Sequence, residues 1–201
     1  MNLLKIFNPE EALLDDMRVA ANIVSNVLLE LAKLSKPDVS LDMLDEVAER
    51  MIREQGAIPY NKGYHPKWSA TPYPATICAS VNEEVCHAPP SGRTLKNGDI
   101  VKYDIGVKYG SGCGDAALTV GIGEISPRKI RAMRYGLQVL YKGIEQVKAG
   151  AKVSDIGNAI EKYLVINGYK PIKEYGGHGI GKEMHEEPQI PCFWESGMGR
   201  G

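Results

Sequence analysis

Asp99-Ile-Val-Lys-Tyr-Asp-Ile-Gly-Val-Lys-Tyr109, followed by Gly110-Ser-Gly-Cys-Gly114 and Asp115-Ala-Ala-Leu-Thr-Val-Gly121, is the stretch on which the fold turns. Its first run alternates, with Val101, Tyr103, Ile105, Val107 and Tyr109 on one face and Lys102, Asp104, Gly106 and Lys108 on the other. That is the period of a half-buried strand. The last run alternates again, setting Ala116, Leu118 and Val120 opposite Asp115, Ala117 and Thr119. The glycines between the runs mark a turn. A hairpin closed near Tyr109 to Ser111 brings Asp104 and Asp115 within a residue or two of register, both on the less apolar side. Carboxylates so placed repel each other. A divalent cation relieves this, because hard oxygen ligands suit Mg, Mn, Fe or Co ions, and an added imidazole moves the preference toward transition metals. Two solvated hairpin carboxylates are the commoner arrangement for an arbitrary pair, so the histidines carry the weight of the argument.

Working outward, His178 lies in Tyr175-Gly-Gly-His-Gly-Ile-Gly181, where the glycines exclude a stable helix and let backbone approach a ligand closely. His185 follows in Met184-His-Glu-Glu-Pro188. His87 closes the run Ser80-Val-Asn-Glu-Glu-Val-Cys-His87, and His65 lies in a Tyr-His-Pro loop and reads as polar surface.

Before the aspartate strands, Asn8 and Pro9 make an N-cap and first helical position, with Leu14, Met17, Ala21, Val24, Leu28 and Leu31 repeating at helical spacing up to about Ser35. Ser40 caps a second helix whose Leu44, Val47, Ala48 and Met51 face one way, ending before Gly56, with the methionines read as core. A loop marked by Pro59, Gly63, Pro66, Pro72 and Pro74 leads into a strand from about Thr76 to Val81. After the strands, Ser126-Pro127 opens a third helix carrying Ile130, Met133, Leu137, Leu140, Ile144 and Val147, stopped by Gly150. A fourth runs from about Val153 to Ile166 and closes at Asn167-Gly168.

The 201 residues, 43% apolar, suffice for one sizeable core. A formal net charge of −1 makes no electrostatic case for nucleic acid, and the basic, aromatic segment Asn61-Lys-Gly-Tyr-His-Pro-Lys-Trp68 is too short to make one. No long apolar run or leader pattern occurs, which points to a soluble, cytoplasmic protein. The four cysteines, Cys78, Cys86, Cys113 and Cys192, have neither zinc-ribbon nor disulfide-scaffold spacing, so reduced thiols are expected.

These motifs resemble those of the bacterial type I methionine aminopeptidases, members of the pita-bread metallopeptidases. The matching segments are Ser80 to His87, Gly98 to Asp104, Gly114-Asp115, Gly177 to Gly181 and His185 to Pro188, in the family's order and spacing, within a match from about residue 9 to residue 198. The resemblance implies an α+β pita-bread fold in a single catalytic domain over residues 1–201, its two helical pairs each followed by site-bearing strands. It implies a dinuclear divalent metal centre (Co, Mn, Fe or Zn) held by Asp104, Asp115 and His178, with Asp115 bridging. His185 would contact the substrate carbonyl oxygen, and His87 would lie toward the amide nitrogen of the scissile bond. Tyr73, Cys78 and Met184 align with pocket positions for the methionine side chain, and soft thiol and thioether groups suit a thioether substrate. Nascent polypeptides beginning with methionine are the implied partners, with the ribosome a candidate and no nucleic acid or membrane partner.

The chain departs from the family pattern in places. The family centre uses two later glutamates, which Glu183, Glu186, Glu187 and Glu195 do not match. The expectation is therefore a segment lacking the closing strands of the second half, impaired as an enzyme by itself, with exposed edges and a tendency to aggregate. Ala88 stands where relatives commonly have glycine, which predicts an altered loop path. Cys113 stands where histidine is frequent, and Met184 where an aromatic is frequent; both read as tolerable. Two alternatives come with the fold: a proline-specific aminopeptidase or creatinase-like hydrolase, and a non-catalytic binding protein of the same architecture.

Overall fold

A computed structural model describes residues 9–67 and 69–194. The expected N-cap at Asn8, together with Trp68 and Glu195, lies outside them. The described residues fall into two compact units, residues 1–126 with 180–184, and residues 127–179 with 185–201.

In the first unit, α1 (Pro9–Leu34) and α2 (Leu41–Glu54) precede β1 (Ile58–Pro59), β2 (Cys78–Val81), β3 (Ile100–Tyr109) and β4 (Gly112–Gly121). β3 is the spine of a four-stranded antiparallel sheet. β4 runs along one edge of it for its whole length, while β2 and the short β1 share the other. The predicted apolar face is the buried one, since Val101, Tyr103, Ile105 and Val107 are all fully buried. Tyr103 keeps its hydroxyl satisfied by donating to Ser35 Oγ at 2.7 Å, and Ser35 in turn donates to the Leu31 carbonyl.

α1 packs across β3 and β4 through Ala20, Ile23, Val24, Val27, Leu28 and Leu31, each worth roughly 1.5–3 kcal/mol when a large apolar side chain is fully buried. This stripe corrects the sequence expectation, because Leu14 is 49% exposed and Ala21 also faces solvent while Ala20 is buried. β4 explains the change of phase. It begins at Gly112, three residues earlier than expected, and a Cβ at Gly114 would sit 2.6 Å from Ala21 N and one at Gly112 2.6 Å from Met17 N. The glycines read as a turn are mostly strand, and they let the helix backbone rest on the sheet. Gly110-Ser111 alone closes the hairpin, tied down by the Asp16 carboxylate, which accepts from Ser111 N and Oγ.

α2 follows its predicted start, with Ser40 Oγ accepting from Asp42 N. Its buried row is Leu41, Leu44, Ala48 and Ile52, and Val47 and Met51 are only partly buried. β2 is shorter than predicted because the Asp45 carboxylate on α2, and not a neighbouring strand, accepts from Thr76 N and Ile77 N at 2.9 and 2.8 Å.

The second unit contains α3 (Pro127–Ile144), α4 (Val153–Ile166), β5 (Gly176–Gly179) and β6 (Glu186–Pro191). α3 and α4 meet where Gly143 admits Ile156 and Ile160, and Tyr135 packs on Tyr163 and Tyr169. α4 lies against the end of β6, with Gly157 facing the carbonyls of Pro191 and Phe193. The third helix ends at Ile144, short of the expected stop at Gly150, and its apolar stripe is open among the described residues, with Ile130, Leu137, Leu140 and Ile144, and Val147 beyond its end, between 45% and 68% exposed.

Candidate functional site

The register of β3 and β4 pairs Gly106 with Asp115 and Asp104 with Ala117. Asp104 and Asp115 are therefore diagonal neighbours on one face, as the spacing of the two runs predicts. Cys78 pairs with Asp104 across β2 and β3, extending the same row. Asn61 reaches into it, its Nδ2 lying 3.2 Å from the Asp104 carbonyl, to which it donates, and 3.9 Å from Cys78 Sγ. Gly106, in register with Asp115, leaves room for these side chains: a Cβ there would displace the end of Met184 and approach Asn61 Oδ1 at 2.9 Å.

Tyr73, Cys78 and Met184, the three expected pocket residues, thus belong to the aspartate-bearing unit. Met184 is 3% exposed and covers Gly106. Burial pushes the Cys78 thiol up to about 12; Tyr73 hydrogen-bonding opposes this, and the Asp104, Cys86 and Asp115 fields add to it. Burial also pushes the Tyr73 phenol up, reinforced by Cys78, and its hydroxyl donates to the Ile77 carbonyl. Cys78 is accordingly a neutral, soft wall and not a thiolate nucleophile. All four cysteines are free thiols, as expected.

His87 is exposed and takes a left-handed φ of 58°. The positive φ expected to be difficult at Ala88 falls on His87 itself, so Ala88 needs no special backbone freedom. The loop is held from within. Val81 N donates to Glu84 Oε2, Asn82 Nδ2 to Asp99 Oδ1, Ile100 N to Asn82 Oδ1, and Ala88 N to Ser80 Oγ. The Ser-Val-Asn-Glu-Glu motif and Asp99 therefore build the loop that presents His87.

In the second unit, His178 on β5 pairs in register with Gln189, and His185 immediately precedes β6. A register shift follows His178. The two rings lie 4.3 Å apart between centroids. His178 Nδ1 is 2.9 Å from the Gly179 carbonyl. A carbonyl only accepts, so Nδ1 carries a proton in this bond, which orients the ring and makes Nε2 the candidate ligand atom. No group of three or more His, Cys, Asp or Glu side chains that could hold a metal ion occurs among the described residues. The donor types still suit a divalent ion chemically: neighbouring carboxylates in one unit and an imidazole in the other.

The metallopeptidase family M24 model matches residues 15–199. The chain belongs to that family. Family M24 membership implies divalent metal ions as cofactors. Over 177 residues it is 42% identical to methionine aminopeptidase 1 of Bacillus subtilis, covering 88% of this chain and 69% of that protein. It is 41% identical to the methionine aminopeptidase of Clostridium acetobutylicum, covering 91% of this chain and 71% of that one. The crystal structure of methionine aminopeptidase from Rickettsia prowazekii superposes with a TM-score of 0.88 at 32% identity, over 98% of this chain and 76% of the other. The prolidase of Pyrococcus furiosus shares the fold at 17% identity and a TM-score of 0.78. This M24 chain is thus a metallopeptidase of pita-bread α+β fold, and among the described residues no helix is long and apolar enough to cross a membrane.

Sequence reading missed Tyr60, Asn61, Asp45 and Asp99. Tyr60 and Asn61 sit in a Pro- and Gly-marked loop without periodicity, so nothing local distinguishes them. Asn82 and Asp99 lay inside or beside motifs already singled out, but their pairing spans 17 residues and becomes visible only in the folded chain.

Proposed function

We propose that this chain is a methionine aminopeptidase that removes the N-terminal methionine of newly made polypeptides in the cytoplasm. The observation that carries the reading is the row on β2, β3 and β4, where Asp104 and Asp115 share a face with buried Cys78 and with Met184 over Gly106. A carboxylate pair beside a soft apolar wall suits a substrate with a free amino terminus and a thioether side chain. Both units act as one catalytic domain in this proposal. Asp104, Asp115 and His178 would hold the two divalent ions that the family resemblance implies. Such ions, when bound, would supply Lewis acidity and lower the pKa of a bound water toward about 7.

The chain's own groups divide the remaining work. Asp104 and Asp115 would supply the negative charge that balances the cations. His185 orients the carbonyl oxygen, and His87 hydrogen-bonds the amide nitrogen side of the scissile bond. Cys78, Tyr73 and Met184 take the methionine side chain, and Tyr73 holds its proton at neutral pH.

The ribosome remains a partner to test by co-sedimentation. Release of methionine from Met-Ala peptides with Mn or Co is the direct assay, and Asp115→Ala should lower it by at least about a hundredfold. Absence of any methionine release across the four candidate metals by this chain completed with strands that carry the family's two later glutamates would refute the proposal. The relatives of proline-specific activity share only the fold, so a Xaa-Pro substrate is the control peptide.

A further inference from the structure

Between β5 and β6 the chain makes a loop, residues 180–185, and five of its residues are packed with the aspartate-bearing unit. The attachment is specific. Tyr60 hydroxyl donates to Glu183 Oε2 at 2.9 Å. Lys108 Nζ donates to the Lys182 carbonyl at 2.9 Å and lies 3.7 Å from Glu183 Oε1. Cys113 N donates to the Gly181 carbonyl at 2.9 Å, and its Sγ lies 3.4 Å from the Lys182 carbonyl, to which it donates. Gly181 N donates to the Glu183 carbonyl, tightening the loop on itself. Met184 is the apolar anchor over Gly106.

We infer that Tyr60, Lys108 and Cys113 clamp this loop through Glu183 and the carbonyls of Gly181 and Lys182, and are positioning residues for His178 and His185. His185 directly follows the buried Met184, and His178 precedes Ile180 by two residues, so the backbone carrying both imidazoles is held at its centre by the tip of the β3–β4 hairpin. Lys108 and Cys113 are themselves a registered pair beside Gly106 and Asp115. The strands that carry the carboxylates also hold the loop that joins the imidazoles. Cys113 fills this role with its backbone N–H and its thiol.

The inference deepens the aminopeptidase reading, so its test needs a readout that does not depend on turnover. Tyr60→Phe removes one hydroxyl and keeps the ring, and Glu183→Gln removes the charge and keeps the size. Hydrogen exchange at the Cys113 amide, which bonds to the loop, should rise at least about tenfold in each variant. Histidine ring resonances should shift for His178 and His185 and stay fixed for His65. With Met-Ala peptides, kcat should fall by about tenfold to a hundredfold with KM within about twofold, because misplaced groups cost mainly in the transition state. Glu183→Asp should recover part of the loss. The double variant should be no worse than the more damaging single one. Unchanged Cys113 exchange and unchanged histidine resonances in both variants overturn the clamp, whether or not the wild-type chain is active. Altered exchange beside a completed chain that releases no methionine keeps the clamp and rejects the aminopeptidase reading.

Discussion

Asp104 and Asp115 owe their proximity to a strand period of two and a hairpin that closes in two residues, Gly110 and Ser111. That is why an eleven-residue separation in sequence could be read as a shared face. Cys78 is a different matter: its pairing with Asp104 joins residues 26 apart across an irregular loop. With its thiol pushed up to about 12, against an ordinary value of 9.0, Cys78 should carry about a thousandfold less thiolate near neutral pH than a free cysteine. Iodoacetamide at pH 8 should therefore leave Cys78 unmodified long after exposed thiols have reacted; peptide mapping by mass spectrometry reads this directly. The sign of the linkage follows. Folding holds the proton on Cys78, so this stabilisation is full below about pH 9 and is lost as pH rises toward 12. Cys78→Ala should flatten the fall of melting temperature over that window. Thr76 offers a second residue-scale test: its Oγ1 is fully buried without a hydrogen-bond partner among the described residues. Thr76→Val should be neutral or stabilising in urea denaturation, because it removes a desolvated hydroxyl without losing a bond.

Among the elements, α1 on β4 is the tightest joint. A methyl group at Gly114 meets the backbone of Ala20 and Ala21, which cannot rotate aside as a side chain can. Gly114→Ala should therefore cost about 3 kcal/mol or more by urea denaturation, at or above the top of the usual range for overpacking. The same close approach explains why the helical period of α1 was legible but its phase was not. Leu14 and Ala21 satisfy the spacing, yet the buried row is set by where glycines in a strand some ninety residues away allow contact. α2 shows the complementary case. Its start was readable because Ser40 caps locally, whereas the length of β2 depended on Asp45 taking two amides that a longer strand would have offered to a neighbour. Asp45→Ala should destabilise by about 2–6 kcal/mol, each of the two orphaned N–H groups contributing about 1–3 kcal/mol.

For the molecule as a whole, the two units differ in how well their helices are covered. α1 buries its stripe on β3 and β4, whereas the stripe on α3 stays open among the described residues. A contiguous apolar surface of this kind promotes association. Leu137→Lys together with Leu140→Glu should raise solubility and reduce light scattering on heating, while leaving the α1 and β4 packing unchanged as judged by hydrogen exchange. A double variant that scatters as much as wild type would place the sticky surface elsewhere, for example at the edges of β5 and β6.

Periodicity and capping are local, so the four helices and the aspartate hairpin were legible in the amino-acid order, the glycines around His178 excluded a helix there, and the order of motifs resembled that of the methionine aminopeptidases. Contacts between distant segments have no such signature. Only the tertiary structure decided that Asn61 and Cys78 join the Asp104 row, that Asn82 and Asp99 build the loop before His87, and that Tyr60, Lys108 and Cys113 grip the histidine loop. Each of these depends on burial and on which amide or carbonyl is left unpaired once the sheet has closed. Those quantities exist only after the chain has folded.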